Sequence, residues 1–139
     1  MIEKPTKAIL FVDDEGVILE TLKEQLKRLF GHKYVYEAAS SADEAWEVLE
    51  DLLTEDVEVL ILVSDWLMPG TKGDEFLVQI HQKYPSIVKV MLTGQADEAA
   101  IARAYEQANL HRCLSKPWSE EDLADAIISG LEQGKIEQG

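Results

Sequence analysis

The chain has 139 residues, 46% apolar and 29% charged, the balance of one soluble globular domain with a core of its own rather than of a disordered chain. Its 13 basic and 27 acidic residues leave a net charge of −14, and no Lys/Arg cluster reverses the sign locally, which argues against direct nucleic-acid binding. A single cysteine, Cys113, excludes an internal disulfide, no apolar run is long enough to span a membrane, and Met1–Lys7 lacks a signal-peptide core, so the expected location is the cytoplasm.

After a short extension, residues 1–6, a strand is expected over Ala8–Val12, ending in Asp13-Asp14-Glu15. Ile18, Leu22, Leu26 and Leu29 recur at steps of four and three and mark a one-faced helix. A strand over Tyr34–Ala38 follows, then a helix carrying Ala42, Ala45, Trp46, Leu49 and Leu53, opened by the capping-box pattern Ser41-x-x-Glu44. The third strand, Val59–Val63, ends in Ser64-Asp65. Phe76, Leu77 and Ile80 mark the third helix, which must stop before Tyr84-Pro85 because a residue preceding proline avoids helical backbone angles. Val88–Leu92 runs into Thr93, and Ala100, Ile101, Ala104, Tyr105 and Ala108 mark the fourth helix. Cys113–Leu114 leads to Lys116, and Leu123, Ile127 and Leu131 form the fifth helix, entered at Ser119. Residues 7–131 thus read as one domain, and residues 132–139 as a polar tail that frays or begins a linker.

Alternating strands and helices imply a parallel sheet covered on both faces, with right-handed crossovers. Five such units fit an open doubly wound α/β sheet of the flavodoxin type, strand order 2-1-3-4-5. Such folds keep their sites at the carboxyl ends of the strands, where this chain places Asp13, Asp14, Asp65, Thr93 and Lys116. Each alone has an ordinary reading: an N-cap, a turn residue, a strand exit, a solvated charge. Together they demand more. Three gathered carboxylates repel one another unless a cation compensates, and magnesium takes hard oxygen ligands and phosphate oxygens. With an ammonium and a hydroxyl beside them, this is the equipment of phosphoryl transfer to a carboxylate nucleophile.

At Val12-Asp13-Asp14-Glu15, Ser64-Asp65-Trp66-Leu67-Met68-Pro69 with Gly73, Leu92-Thr93-Gly94 and Ser115-Lys116-Pro117-Trp118, the sequence resembles the receiver domain of two-component response regulators, over about residues 7–131. The resemblance implies that Asp65 accepts a phosphoryl group from a sensor histidine kinase or a histidine phosphotransfer protein. It implies Mg²⁺ (or Mn²⁺) on Asp13, Asp14, Asp65 and the backbone carbonyl of Leu67, with Asp13 acting mainly through water. Lys116 is expected to hold a phosphoryl oxygen, Thr93 to move toward it, and Pro117 to shape the turn after the fifth strand behind a cis bond. The face of the fourth helix, fifth strand and fifth helix is the implied partner or homodimer surface, and an output module, attached or separate, the implied recipient. One position departs from the family pattern. Receivers commonly carry Tyr or Phe three residues before the lysine, where this chain has Cys113, so the ring that turns inward as Thr93 moves is missing.

Two other readings compete. A degenerate receiver that binds a partner constitutively is opposed by the complete Asp, Thr and Lys set. An aspartyl-phosphate hydrolase is opposed by Leu67, which stands where such enzymes carry a general acid.

Overall fold

The computed structural model describes residues 5–94 and 98–138, with side chains through residue 133. Its elements are β1 (Lys7–Val12), α1 (Gly16–Phe30), β2 (Val35–Ala39), α2 (Ala42–Thr54), β3 (Glu58–Asp65), α3 (Gly73–Lys83), β4 (Val88–Thr93), α4 (Glu98–Gln107), β5 (Arg112–Ser115) and α5 (Glu120–Gln138). The strands pair in parallel in the order β2-β1-β3-β4-β5, as expected from the alternation.

The period of a strand divides the core into two layers. Ala8, Leu10, Val12, Leu62 and Met91 point to one face and pack against α2, α3 and α4 through Leu49, Phe76, Leu77 and Ala104. Ile9, Phe11, Ile61, Val63, Val90 and Leu92 point to the other, against α1 and α5 through Leu22, Leu26, Leu123 and Ile127. Burial on both faces is why these strands read as continuous apolar runs. The β1–β3 register slips between Ala8 and Ile9, so Leu60 and Ile61 both join the α1/α5 layer.

Local chemistry sets the element ends. Ser41 Oγ accepts from the amide of Glu44 at 3.1 Å, one half of the capping box, while the Glu44 carboxylate turns to the Ser40 hydroxyl at 2.7 Å. Ser119 Oγ caps α5 from the amide of Asp122 at 3.0 Å. Helix α1 ends at Gly31, whose φ of 61° favours glycine and whose amide donates to Lys27 O at 2.8 Å.

Several boundaries differ from expectation: β1 begins at Lys7, β3 spans Glu58–Asp65, β4 reaches Thr93, and α4 ends at Gln107, before Ala108. Strand β2 is Val35–Ala39, one residue later than expected, because Tyr34 instead packs edge-on against Phe30 with ring centroids 5.9 Å apart. Strand β5 extends to Arg112 and Ser115, paired with Val90 and Thr93. Helix α5 continues to Gln138 past Gly130, where a Cβ would meet Val88 Cγ1 at 3.0 Å; the bare Cα lets α5 lie close to β4. Glutamate, glutamine and lysine are good helix formers, and each glycine costs only about 1 kcal/mol.

Lys89, in the middle of the apolar β4 run, is 1% exposed. Its Nζ donates to the carbonyl of Ile87 at 2.6 Å, so the stem fills core volume and the ammonium finds an oxygen just before the strand.

Candidate functional site

The carboxyl ends of β1, β3, β4 and β5 bring Asp13, Asp65, Thr93 and Lys116 to one edge of the sheet, as their positions in sequence predict. Asp13 is fully buried and tied on every side. Its amide donates to Ala39 O at 3.1 Å, its Oδ1 accepts from the amide of Glu15 at 2.8 Å, and its Oδ2 accepts from Lys116 Nζ at 2.8 Å. The N-cap of α1 is Glu15, so Asp13 does not serve as a helix cap. Asp14 is exposed beside it. Asp65 ends β3, 5% exposed, with its Oδ1 3.1 Å from Lys116 Nζ. Asp13, Asp14 and Asp65 each offer a carboxylate oxygen within 4.8 Å of the others, a hard-oxygen set that fits a magnesium-like cation.

Two backbone links fix this geometry. The amide of Trp66 donates to Leu92 O at 2.9 Å, and that of Lys116 to Thr93 O at 2.8 Å, so each loop is pinned to the neighbouring strand. The Lys116–Pro117 peptide is cis, as the family resemblance implied. Above the carboxylates lies a cleft of about 510 Å³ lined by Asp14, Asp65, Leu67, Thr93, Gly94 and Lys116, among others. Leu67 stands at its rim, 55% exposed.

The electrostatics are those of a crowded acidic site. Burial pushes the Asp65 carboxyl above its usual range; the hydrogen bond from Lys116 opposes this, and the charges of Asp13 and Asp14 add to it. Burial pulls the Lys116 ammonium down, but its hydrogen bonds to Asp13 and Asp65 outweigh that and hold it above the ordinary lysine value. One ammonium thus serves two carboxylates, and the third has none within reach of a salt bridge among the described residues.

Over residues 9–128 the sequence matches the family model of the response regulator receiver domain. This chain belongs to that family. The receiver is 33% identical over 135 residues to a chemotaxis protein CheY homolog of Campylobacter jejuni, covering 93% of this chain and 98% of that protein. It is 31% identical over 124 residues to the hydrogenase transcriptional regulatory protein HoxA of Cupriavidus necator, of which it spans only 24%. Among solved structures, the signal receiver domain of an HD domain-containing protein from Pseudomonas fluorescens Pf-5 superposes with a TM-score of 0.82 at 34% identity, covering 96% of this chain and 98% of that one. Such domains are the response regulator half of two-component systems.

Cys113 of this receiver pairs with Met91 in the β4–β5 register and is half-buried against the layer that holds α3 and α4. Burial pushes its thiol above the usual range, so the neutral form persists to higher pH in the folded state than in the unfolded chain. Reaction with a thiol reagent such as iodoacetamide at pH 8 is therefore expected to be slower in the native receiver than in urea; equal rates would place the thiol in a reactive setting. Trp118, by contrast, has a clear packing role: its Nε1 donates to Gln25 Oε1 at 2.8 Å and joins the entry of α5 to α1.

Sequence reasoning missed one residue near the receiver's site and gave no role to another, Glu15. Asp74, 2% exposed at the start of α3, accepts from Trp66 Nε1 at 3.0 Å and from Arg103 on α4 at 3.1 Å. An Asp in a first helical turn ordinarily complements the helix dipole, and nothing in its spacing signals burial. Glu15 also reaches toward Lys116, at 4.0 Å, from a largely exposed position.

Proposed function

We propose that this receiver takes a phosphoryl group on Asp65 from the phosphohistidine of a sensor histidine kinase or phosphotransfer protein, and thereby changes the surface it presents to a partner or output module. The observation that carries this is the gathering of Asp13, Asp14 and Asp65 around a single ammonium, Lys116, at the foot of an open cleft. Receiver domains are in general signalling modules that engage histidine kinases, and can be joined to output domains.

In the proposed reaction a carboxylate oxygen of Asp65 attacks phosphorus in line with the leaving imidazole nitrogen. The O–P bond forms, the N–P bond breaks, and the electron pair stays on that nitrogen; the proton on the other ring nitrogen is retained, so the donor leaves as neutral histidine. Asp14, Asp65, the Leu67 carbonyl and, through water, Asp13 would hold a magnesium ion, which would neutralise charge on the phosphoryl oxygens. Lys116 is already within 3.1 Å of Asp65 and acts as the fixed positive charge on one phosphoryl oxygen. Thr93, at the end of β4 and on the cleft wall, supplies a hydroxyl to another. The face of α4, β5 and α5 is the proposed partner or dimer surface; a beryllofluoride-activated receiver dimer, 25% identical over 93% of this chain, supports dimerisation as one output.

Incubation with Mg²⁺ and acetyl phosphate is expected to add one phosphoryl mass to the intact protein, labile to hydroxylamine and absent in Asp65→Asn. An equal adduct on Asp65→Asn would move the acceptor elsewhere. Steady turnover of several unrelated phosphoesters would favour a hydrolase instead.

A further inference from the structure

We propose that a Trp66–Asp74–Arg103 bridge carries the state of the Asp65 site to α4. The inference rests on the reading of Asp65 as the group that is modified. Its first half is backbone contact. The amide of Gly73 donates to Trp66 O at 2.6 Å, and a Cβ on Gly73 would overlap the carbonyl of Asp65 and lie 2.7 Å from Trp66 Cα. The first residue of α3 therefore rests directly on the Asp65–Trp66 peptide, and a displacement there cannot be absorbed by a side chain between them.

The second half is a two-ended carboxylate. Asp74 is the next residue of α3; its Oδ1 accepts from the indole N–H of Trp66 at 3.0 Å, and its Oδ2 accepts from Arg103 Nη1 at 3.1 Å. The carboxylate is 2% exposed, so water cannot readily replace either partner, whereas the Arg103 side chain is half-exposed on α4. Lys72 lies 5.5 Å from the centroid of the Trp66 ring and braces the indole from the other side of Gly73 in sequence. The residue after Asp65 is thus joined to α3 by one peptide contact and one indole hydrogen bond, and from Asp74 to α4 by one ion pair. Cys113, on the same face of the sheet, offers no ring that could move between β5 and α4, whereas this bridge is a polar connection from the Asp65 loop to that helix.

The test uses the full chain with Mg²⁺ and beryllofluoride, reading occupancy of the site by fluorine NMR and α4 by amide hydrogen exchange over residues 98–107. In the wild type, a bound fluoride signal is expected together with a change in α4 exchange. Arg103→Gln, on a half-exposed side chain, is expected to keep the bound signal and lose more than half of the α4 response, while Arg103→Lys restores most of it. Asp74→Asn, which keeps an acceptor for Trp66 but drops the charge facing Arg103, should behave like Arg103→Gln. A full α4 response in Arg103→Gln overturns the bridge, as does a wild type that binds fluoride without any change in α4. A wild type with no bound signal overturns the Asp65 reading itself, and the bridge with it.

Discussion

Lys116→Ala is expected to destabilise the protein by about 3 kcal/mol in the absence of divalent cations, the usual consequence of removing one partner from a buried charge pair. The ammonium is 2.8 Å from a fully buried Asp13 and 3.1 Å from Asp65, so its loss strands two buried carboxylates, and burial already pushes the Asp65 carboxyl up. The pH dependence has a definite sign. Asp65 has a folded-state pKa above its unfolded one, so the folded state holds the proton more tightly and stability falls as pH rises between the two values. Without Lys116 that upward shift grows, and the deficit of the variant is expected to shrink as pH is lowered toward 5. Added Mg²⁺ should restore more stability to the variant than it adds to the wild type, because there it replaces a missing charge. Urea unfolding at two pH values, with and without Mg²⁺, measures all three effects. A variant as stable as the wild type in chelator would mean that Asp13 and Asp65 do not depend on Lys116.

Gly73→Ala is expected to cost about 3 kcal/mol, at the upper end of what overpacking does. The added methyl would run into the Asp65 carbonyl and stand 2.7 Å from Trp66 Cα, and both obstacles are backbone. The strain cannot be relieved by a rotamer change, so either α3 moves off the sheet or the Asp65–Trp66 peptide shifts. The second outcome also weakens the proposed phosphoryl uptake, because Asp65 Oδ1 would leave its 3.1 Å contact with Lys116. The urea midpoint and the acetyl phosphate adduct are the two measurements. An unchanged midpoint with full adduct formation would show that the contact relaxes freely. No comparable penalty attaches to Gly16→Ala, where a Cβ would meet nothing within 4 Å.

The interior strands β1, β3 and β4 were legible because burial on both faces leaves a mostly apolar run, and each stops at a residue that faces the site. Ile61 to Val63 and Val90 to Leu92 carry that signal plainly. What the sequence did not disclose depends on reach across space. Asp74 reads as one more acid in an acidic chain, and only the folded chain sets it between Trp66 and Arg103, 8 and 29 residues away along the sequence. Lys89 looks like a break in an apolar run, yet it is buried because its ammonium reaches back to Ile87 O. Boundary errors have the same origin. Tyr34 has strand propensity, but its ring has a better partner in Phe30 than in the sheet.

The open sheet has a further consequence at its two margins. Strand β5 is only four residues long, and β2 carries Glu37 at its centre, with only its last residue fully buried. Both outer rows of backbone donors and acceptors are therefore short or interrupted by charge, poor templates for recruiting a strand from another chain. A signalling protein must meet partners at one surface while remaining separate from its neighbours at every other. Here the interior strands β1, β3 and β4 hold the long apolar segments, and the margins keep those segments from continuing into a fibre.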